Sequence, residues 1–149
     1  MKNIILKNLE KCLIRGKFDE AEELLNKLYK DYIRDLVLSY AYNNENIIIY
    51  SFVLYMEKKT SDFFWIELAI ELMLNPLCFV DGAYSFALYH SRKLLMLDDK
   101  IENLERLFFF SECPEIIIDK AELELIAMKI LEKEPDNKKA LGFLYERDL

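Results

Sequence analysis

Gly16-Lys17-Phe18-Asp19-Glu20-Ala21 and Gly82-Ala83-Tyr84-Ser85-Phe86-Ala87 share one pattern, Gly-x-aromatic-x-x-Ala, 66 residues apart. Each hexapeptide separates a segment of helical period from the next. Glycine lacks a Cβ and permits a tight reversal between antiparallel helices, while the aromatic and the alanine let those helices pack closely. Leu28 and Leu94 follow the two alanines by seven residues. Two other segment endings, Lys93-Leu94-Leu95-Met96-Leu97-Asp98-Asp99 and Lys129-Ile130-Leu131-Glu132-Lys133-Glu134-Pro135-Asp136-Asn137, are offset by 36. Offsets of this size make stacked helix pairs the expectation.

Outward from these hexapeptides, almost every segment has the helical period. Ile5, Leu6, Leu9, Cys12 and Leu13 form the stripe of a first helix, which Gly16 ends. Asp19 and Glu22, spaced as a capping box, start a second, with Ala21, Leu24, Leu25 and Leu28 as its apolar stripe. A third spans residues 31–42, and Asn43-Asn44 breaks it. Residues 45–58 form a fourth, with a strand as the alternative over Ile47-Ile48-Ile49-Tyr50, a run of β-formers. Thr60-Ser61 caps a fifth, residues 62–74, which is apolar nearly all round, as a central helix is; Pro76 closes it. Asp81 caps a sixth over residues 82–97, and a seventh covers residues 100–110 and stops near Pro114. Asp119 and Glu122 repeat the capping-box spacing at an eighth, which ends before Pro135. Asp136-Asn137 starts a ninth, running to about Arg147. No linker or low-complexity run divides residues 1–149, so a single domain is expected.

The hexapeptides and the proline-terminated endings resemble the second helix of a tetratricopeptide repeat. The resemblance implies an all-α fold: a tetratricopeptide-like stack of about four antiparallel hairpins, pairing helix one with two, three with four, five with six and seven with eight. The ninth helix would cap the open end. The second unit departs from the pattern by lacking the Gly-x-aromatic turn, and the fourth has Asp119-Lys120-Ala121 in its place. Longer loops with Pro76 and Pro114 interrupt the third and fourth. A compact helical bundle is the alternative architecture.

Composition narrows the chemistry. The 149 residues are 53% hydrophobic and 32% charged, with three Gly and three Pro, a globular mixture poor in the turn residues of β-folds. Three scattered glycines cannot build a phosphate-binding loop, and a single histidine excludes most zinc sites and histidine relays. The apolar run Ile4-Ile5-Leu6 stops at Lys7, and the longest near-apolar stretch, residues 47–56, falls short of the roughly 20 residues of a bilayer span. Cys12, Cys78 and Cys113 are odd in number and form no C-x-x-C pair. They read as reduced, buried, small apolar residues of a cytoplasmic protein. Net charge is −7; residues 1–60 hold ten Lys/Arg and nine Asp/Glu, whereas residues 61–149 hold ten and eighteen. An acidic C-terminal portion disfavours nucleic acid and anionic membranes and suits a basic protein partner.

Few residues offer catalytic chemistry. His90 shares a stripe with Ala83, Ala87 and Leu94, which reads as core packing; Cys78, twelve residues upstream, is the nucleophile that could in principle approach it. Glu67 and Glu71 stand one turn apart on the fifth helix, so both carboxylates share a face. Without a Glu-x-x-His partner they make no di-metal site. They read as a polar stripe facing a groove, ready to receive Lys or Arg, or as a structural pair bonded to Tyr, Arg92 or backbone. Phe63-Phe64-Trp65 and Phe108-Phe109-Phe110 cannot bury all members on one side, so most are core and one or two are anchors for a partner. Tyr40, Tyr42, Tyr50 and Tyr55 have the same reading. No cofactor or metal is expected.

Residues 63–140 resemble small bacterial helical proteins that act as immunity partners of polymorphic or contact-dependent toxins. The resemblance rests on Glu67, Glu71, Gly82-Ala83-Tyr84, Tyr89-His90, Pro114, Ala121 and Pro135-Asp136-Asn137. It implies a cytoplasmic, non-catalytic protein that binds one basic toxin domain, often a nuclease, and blocks its activity. The expected partner-binding residues are Glu67, Glu71, Asp98, Asp99, Glu102 and Glu105. A tetratricopeptide-like adaptor gripping a peptide in another pathway is the alternative.

Overall fold

The computed structural model describes residues 1–145, whose regular elements are all helical, with no strand among them. The elements are α1 (Lys2–Ile14), α2 (Phe18–Leu25), α3 (Lys30–Asn44), α4 (Ile48–Thr60), α5 (Phe63–Leu74), α6 (Ala83–Leu97), α7 (Ile101–Arg106), a 3-10 turn (Leu107–Ser111), α8 (Lys120–Lys133) and α9 (Lys138–Tyr145). The all-α expectation holds. The β-formers at Ile48, Ile49 and Tyr50 lie in α4, where Ile49 and Tyr50 are buried, so packing outweighs their strand propensity. The expected end of the ninth helix near Arg147 lies outside the described residues. The chain divides into two compact units, Met1–Ala83 and Tyr84–Leu149.

In the first unit, α1 buries Leu9 and Leu13 and α2 buries Ala21 and Leu25, each pair one turn apart. The two helices pack together across a short turn through Gly16 at φ +68°. α4 packs most extensively on α5. Between them Phe52 meets Trp65 edge to face at 6.1 Å, and Phe18 of α2 joins Phe52 at 5.6 Å and Tyr55 at 5.5 Å. α5 buries Trp65, Ile66, Leu68, Ala69, Ile70, Leu72 and Met73, the all-round burial its sequence implied.

Several helix starts differ from expectation. α2 begins at Phe18 with no side-chain cap, so Asp19 and Glu22 form no capping box; Glu22 instead accepts from Lys59 of α4 at 2.5 Å. α3 continues through Asn43-Asn44 and stops at Glu45, which adopts φ +48°. Thr60 ends α4 and Ser61 turns left-handed at φ +54°; Asp62, not Thr60-Ser61, caps α5. The Asp62 carboxylate accepts from the Phe64 amide at 3.0 Å and pairs with Lys30 at 2.7 Å. Gly82 precedes α6 rather than opening it, at φ +83°.

In the second unit, α8 buries Leu123, Ile126, Ala127 and Ile130 on one stripe and packs against both α7 and α9. The expected seventh helix tightens after Arg106 into the 3-10 turn. Leu104, Leu107 and Phe110 are all buried at spacings of three, and three residues per turn aligns them where an α-helix would rotate Phe110 away. Asp119 stands at the N-cap of α8 without a side-chain bond, and Glu122 pairs with Arg92 of α6 instead of completing a capping box. Asn137 caps α9 by accepting from the Ala140 amide at 3.0 Å.

Two sets of variants test this account of the turns and caps. Added Cβ at Gly16 meets open space, so Gly16→Ala isolates backbone strain and is expected to cost about 1–2 kcal/mol. Glu45→Gly removes the same strain and is expected to stabilise by about 1 kcal/mol; chemical denaturation checks both signs. The Lys30 hydrogen bond, then the Phe64 amide, holds the Asp62 carboxyl below its ordinary pKa. A carboxyl depressed by folding stabilises above its unfolded pKa and loses that contribution as pH falls through the folded value. Asp62→Ala is therefore expected to cost about 1 kcal/mol at pH 7, with the gap closing as pH drops below ~3.9.

Candidate functional site

The six sequence-predicted carboxylates fall in different places. Glu67 and Glu71 stand on α5 in the first unit. Arg34 of α3 grips Glu71 with both Nε, at 2.7 Å, and Nη2, a two-pronged arrangement suited to a carboxylate. Glu71 is thus a structural tie between α3 and α5, with Arg34 as its partner where Tyr, Arg92 or backbone had been the alternatives. Glu67, one turn earlier and half-buried, makes no hydrogen bond or ion pair among the described residues. The pair does not act as one acidic stripe.

Asp98, Asp99, Glu102 and Glu105 lie in the second unit. Asp98 faces Lys100 at 3.7 Å, and its carbonyl accepts from the buried Asn103 at 2.8 Å. Asp99 pairs with Lys133 of α8 at 3.3 Å. Glu102 and Glu105 share a wall of a cleft of about 690 Å³ bounded by α7, the 3-10 turn and α9. Sequence reading placed these two carboxylates together but missed the rest of the cleft. Glu112 adds a third carboxylate, Phe108, Phe109 and Phe143 add aromatic surface, and Arg106 and Lys139 stand among them.

Local structure explains the arrangement. In the 3-10 turn, Phe110 points to the core while Phe108 and Phe109 are displaced toward the cleft. Phe108 stacks on Phe143 of α9, centroids 5.2 Å apart, and Phe109 stays 44% exposed. Glu105 is the post between α7 and α9: it accepts from Asn137 at 2.8 Å and pairs with Lys139 at 3.3 Å. The Asn137 bond, more than Lys139, holds its carboxyl below the usual range against the opposing effect of burial. Glu102 and Glu112 are exposed and have no side-chain partner among the described residues. The cleft therefore offers two available carboxylates beside aromatic surface. A period-three apolar pattern, 104–107–110, was the signal that could have found it.

The other candidates resolve simply. His90 is buried with Ala83, Ala87 and Leu94, as its stripe implied, and meets Tyr89 edge to face at 5.2 Å. The cysteines differ from the buried residues expected: Cys12 and Cys113 are partly covered and Cys78 is exposed. Partial burial raises the Cys12 and Cys113 thiol pKa values, with acidic neighbours adding to it, so both stay protonated near neutrality. In each aromatic triplet one ring is core (Trp65, Phe110) and one is exposed (Phe63, Phe109). Tyr40 and Tyr50 are buried and Tyr42 is exposed. Among the described residues no group of three His, Cys, Asp or Glu could hold a metal ion, and no helix is long and apolar enough to cross a membrane.

Charge is also distributed differently from the split at residue 60. The first unit, residues 1–83, holds ten Lys/Arg and thirteen Asp/Glu, and residues 84–149 hold ten and fourteen. The units are therefore about equally acidic. No protein-family model matches this sequence, and comparisons with curated proteins and with solved structures give no match.

Asn137→Ala tests the post. It removes the α9 cap and the main cause of the Glu105 shift together. The expected cost is about 1 kcal/mol, with faster amide exchange at residues 138–140. The Glu105 carboxyl should move up toward its ordinary pKa in a carbon-detected NMR titration; an unmoved Glu105 contradicts the assignment.

Proposed function

We propose that this chain is a non-catalytic protein-binding module, an immunity protein that neutralises a basic toxin domain in the cytoplasm. The observation that carries the reading is the α7–α9 cleft, where Glu102 and Glu112 stand unpaired beside Phe108, Phe109 and Phe143. Exposed carboxylates steer a basic partner and set specificity, and a half-exposed ring supplies desolvated anchoring area. The six-carboxylate face is narrowed accordingly. Glu71 and Glu105 serve the fold, Asp99 is engaged by Lys133, and Glu102 with Glu112 carries the contact.

A tetratricopeptide-like adaptor is the second reading, favoured by the pattern of ion pairs. Glu22 with Lys59 joins α2 to α4, and Arg34 with Glu71 joins α3 to α5. Arg92 with Glu122 joins α6 to α8, and Glu105 with Lys139 joins α7 to α9. Each links a helix to the next but one, over 30–37 residues, as stacked helix pairs of that period would. An immunity protein can use the same scaffold, so the two readings differ in partner rather than in architecture.

A pull-down of the tagged chain from its native cells, washed at low and then high salt, separates them. The immunity reading expects one basic protein, or the basic C-terminal fragment of a larger one, released by salt. Unrelated partners that survive the salt wash favour the adaptor. Against the captured partner, Glu102→Lys with Glu112→Lys is expected to slow association about tenfold or more at low salt, and Phe109→Ala to speed dissociation. Association unchanged in the double reversal contradicts the cleft as the binding face.

A further inference from the structure

A second surface lies outside the cleft. Met128, Leu131 and Glu132 of α8 and Leu144 and Tyr145 of α9 line an open groove of about 470 Å³. Its walls are apolar and open: Met128 is 52% and Tyr145 66% exposed, and Leu125, one turn before Met128, is 59% exposed. Within the first unit a later helix lies across two of the helix pairs, α4 across α1 and α2 and α5 across α3 and α4. α3 lies against α1, α4 against α1, α2 and α3, and α5 against α3 and α4. α9 continues the series, packed on α8 and tied to α7 through Glu105. The α8–α9 groove is the next position, so a helix is the shape it takes.

The chain itself carries a helix of matching character. On α1, Ile4, Lys7, Lys11 and Ile14 are exposed at i, i+3, i+7 and i+10, one stripe about 15 Å long. Ile4 and Ile14 are 65% and 67% exposed. Residues 1–17 hold five Lys/Arg against one Glu, whereas residues 120–136 hold three Lys against five Asp/Glu. Lys7, Lys11 and Glu132 have no ion-pair partner among the described residues. Lysine stems can lie along apolar walls while their ammonium groups reach carboxylates at the rim.

We propose that the α8–α9 groove binds α1 of a second copy of this chain. Ile4 and Ile14 pack against Leu125, Met128 and Tyr145, and Lys7 and Lys11 face the unpaired Glu132 at the rim. The contact joins two different surfaces, so it is head to tail, and a pair of copies joined by one such contact retains one free α1 and one free groove. This inference stands apart from the acidic-cleft reading and uses none of its residues.

Sedimentation velocity on the purified chain tests it. Mass is expected to rise above 17.8 kDa with concentration, and association to weaken about tenfold on raising salt from 50 to 500 mM. Ile4→Asp and Met128→Asp, each at an exposed position, should both be monomeric with unchanged circular dichroism. Their equimolar mixture should form a one-to-one dimer and nothing larger, because one variant retains the groove and the other retains α1. A parent chain that stays monomeric overturns the proposal. So does an Ile4→Asp chain that still associates, since a symmetric groove-to-groove contact would survive that change, and so does a mixture that forms no dimer.

Discussion

A residue in the left-handed backbone region stands at four helix boundaries: Gly16 between α1 and α2, Glu45 between α3 and α4, Ser61 between α4 and α5, and Gly82 before α6. The rest of the first unit depends on these reversals. A helix with one apolar stripe cannot bury it alone, and a chain that reverses within a few residues brings the next stripe against it. Glycine adopts the conformation freely, whereas Glu45 and Ser61 each cost about 1–2 kcal/mol. That cost is offset by the packing the reversals allow, above all the ring cluster of Phe18, Phe52, Tyr55 and Trp65.

This distinction explains what could be read in advance. Gly16 and Gly82 announce their turns because glycine signals the conformation, and the periodic stripes of α1 and α2 announce helices. Glu45 and Ser61 carry no such signal, so α3 was expected to stop at Asn43-Asn44 and the α5 cap was placed one residue early. The capping boxes failed for a different reason. Glu22 and Glu122 sit at the right spacing, but Lys59 and Arg92 approach from helices distant in sequence, and a charged partner outcompetes a local amide. Sequence spacing sees the local bond and is blind to the distant one.

The candidate site was half legible for the same reason. Glu102 and Glu105 are close in sequence and remain together, but Glu105 is a structural post, which only the position of Asn137 and Lys139 reveals. Glu112 and Phe143 reach the cleft through the 3-10 turn and through α9, neither visible as a motif. Glu67 and Glu71 show the converse. Their shared helix face was read correctly, and Arg34, 37 residues away, takes one of them out of play. Counting acidic residues over residues 1–60 and 61–149 likewise exaggerated a polarity that the two units do not have. On the proposed reading, recognition is local to Glu102, Glu112 and the half-exposed Phe109 ring.

The central claim is that partner binding is confined to this cleft, and hydrogen–deuterium exchange of the chain with and without its captured partner tests it most directly. The account predicts slowed exchange over residues 102–112 and 138–143, with the amides of α1, α3 and α4 unchanged. Protection centred on those first-unit helices, with residues 102–112 exchanging as in the free chain, would contradict it.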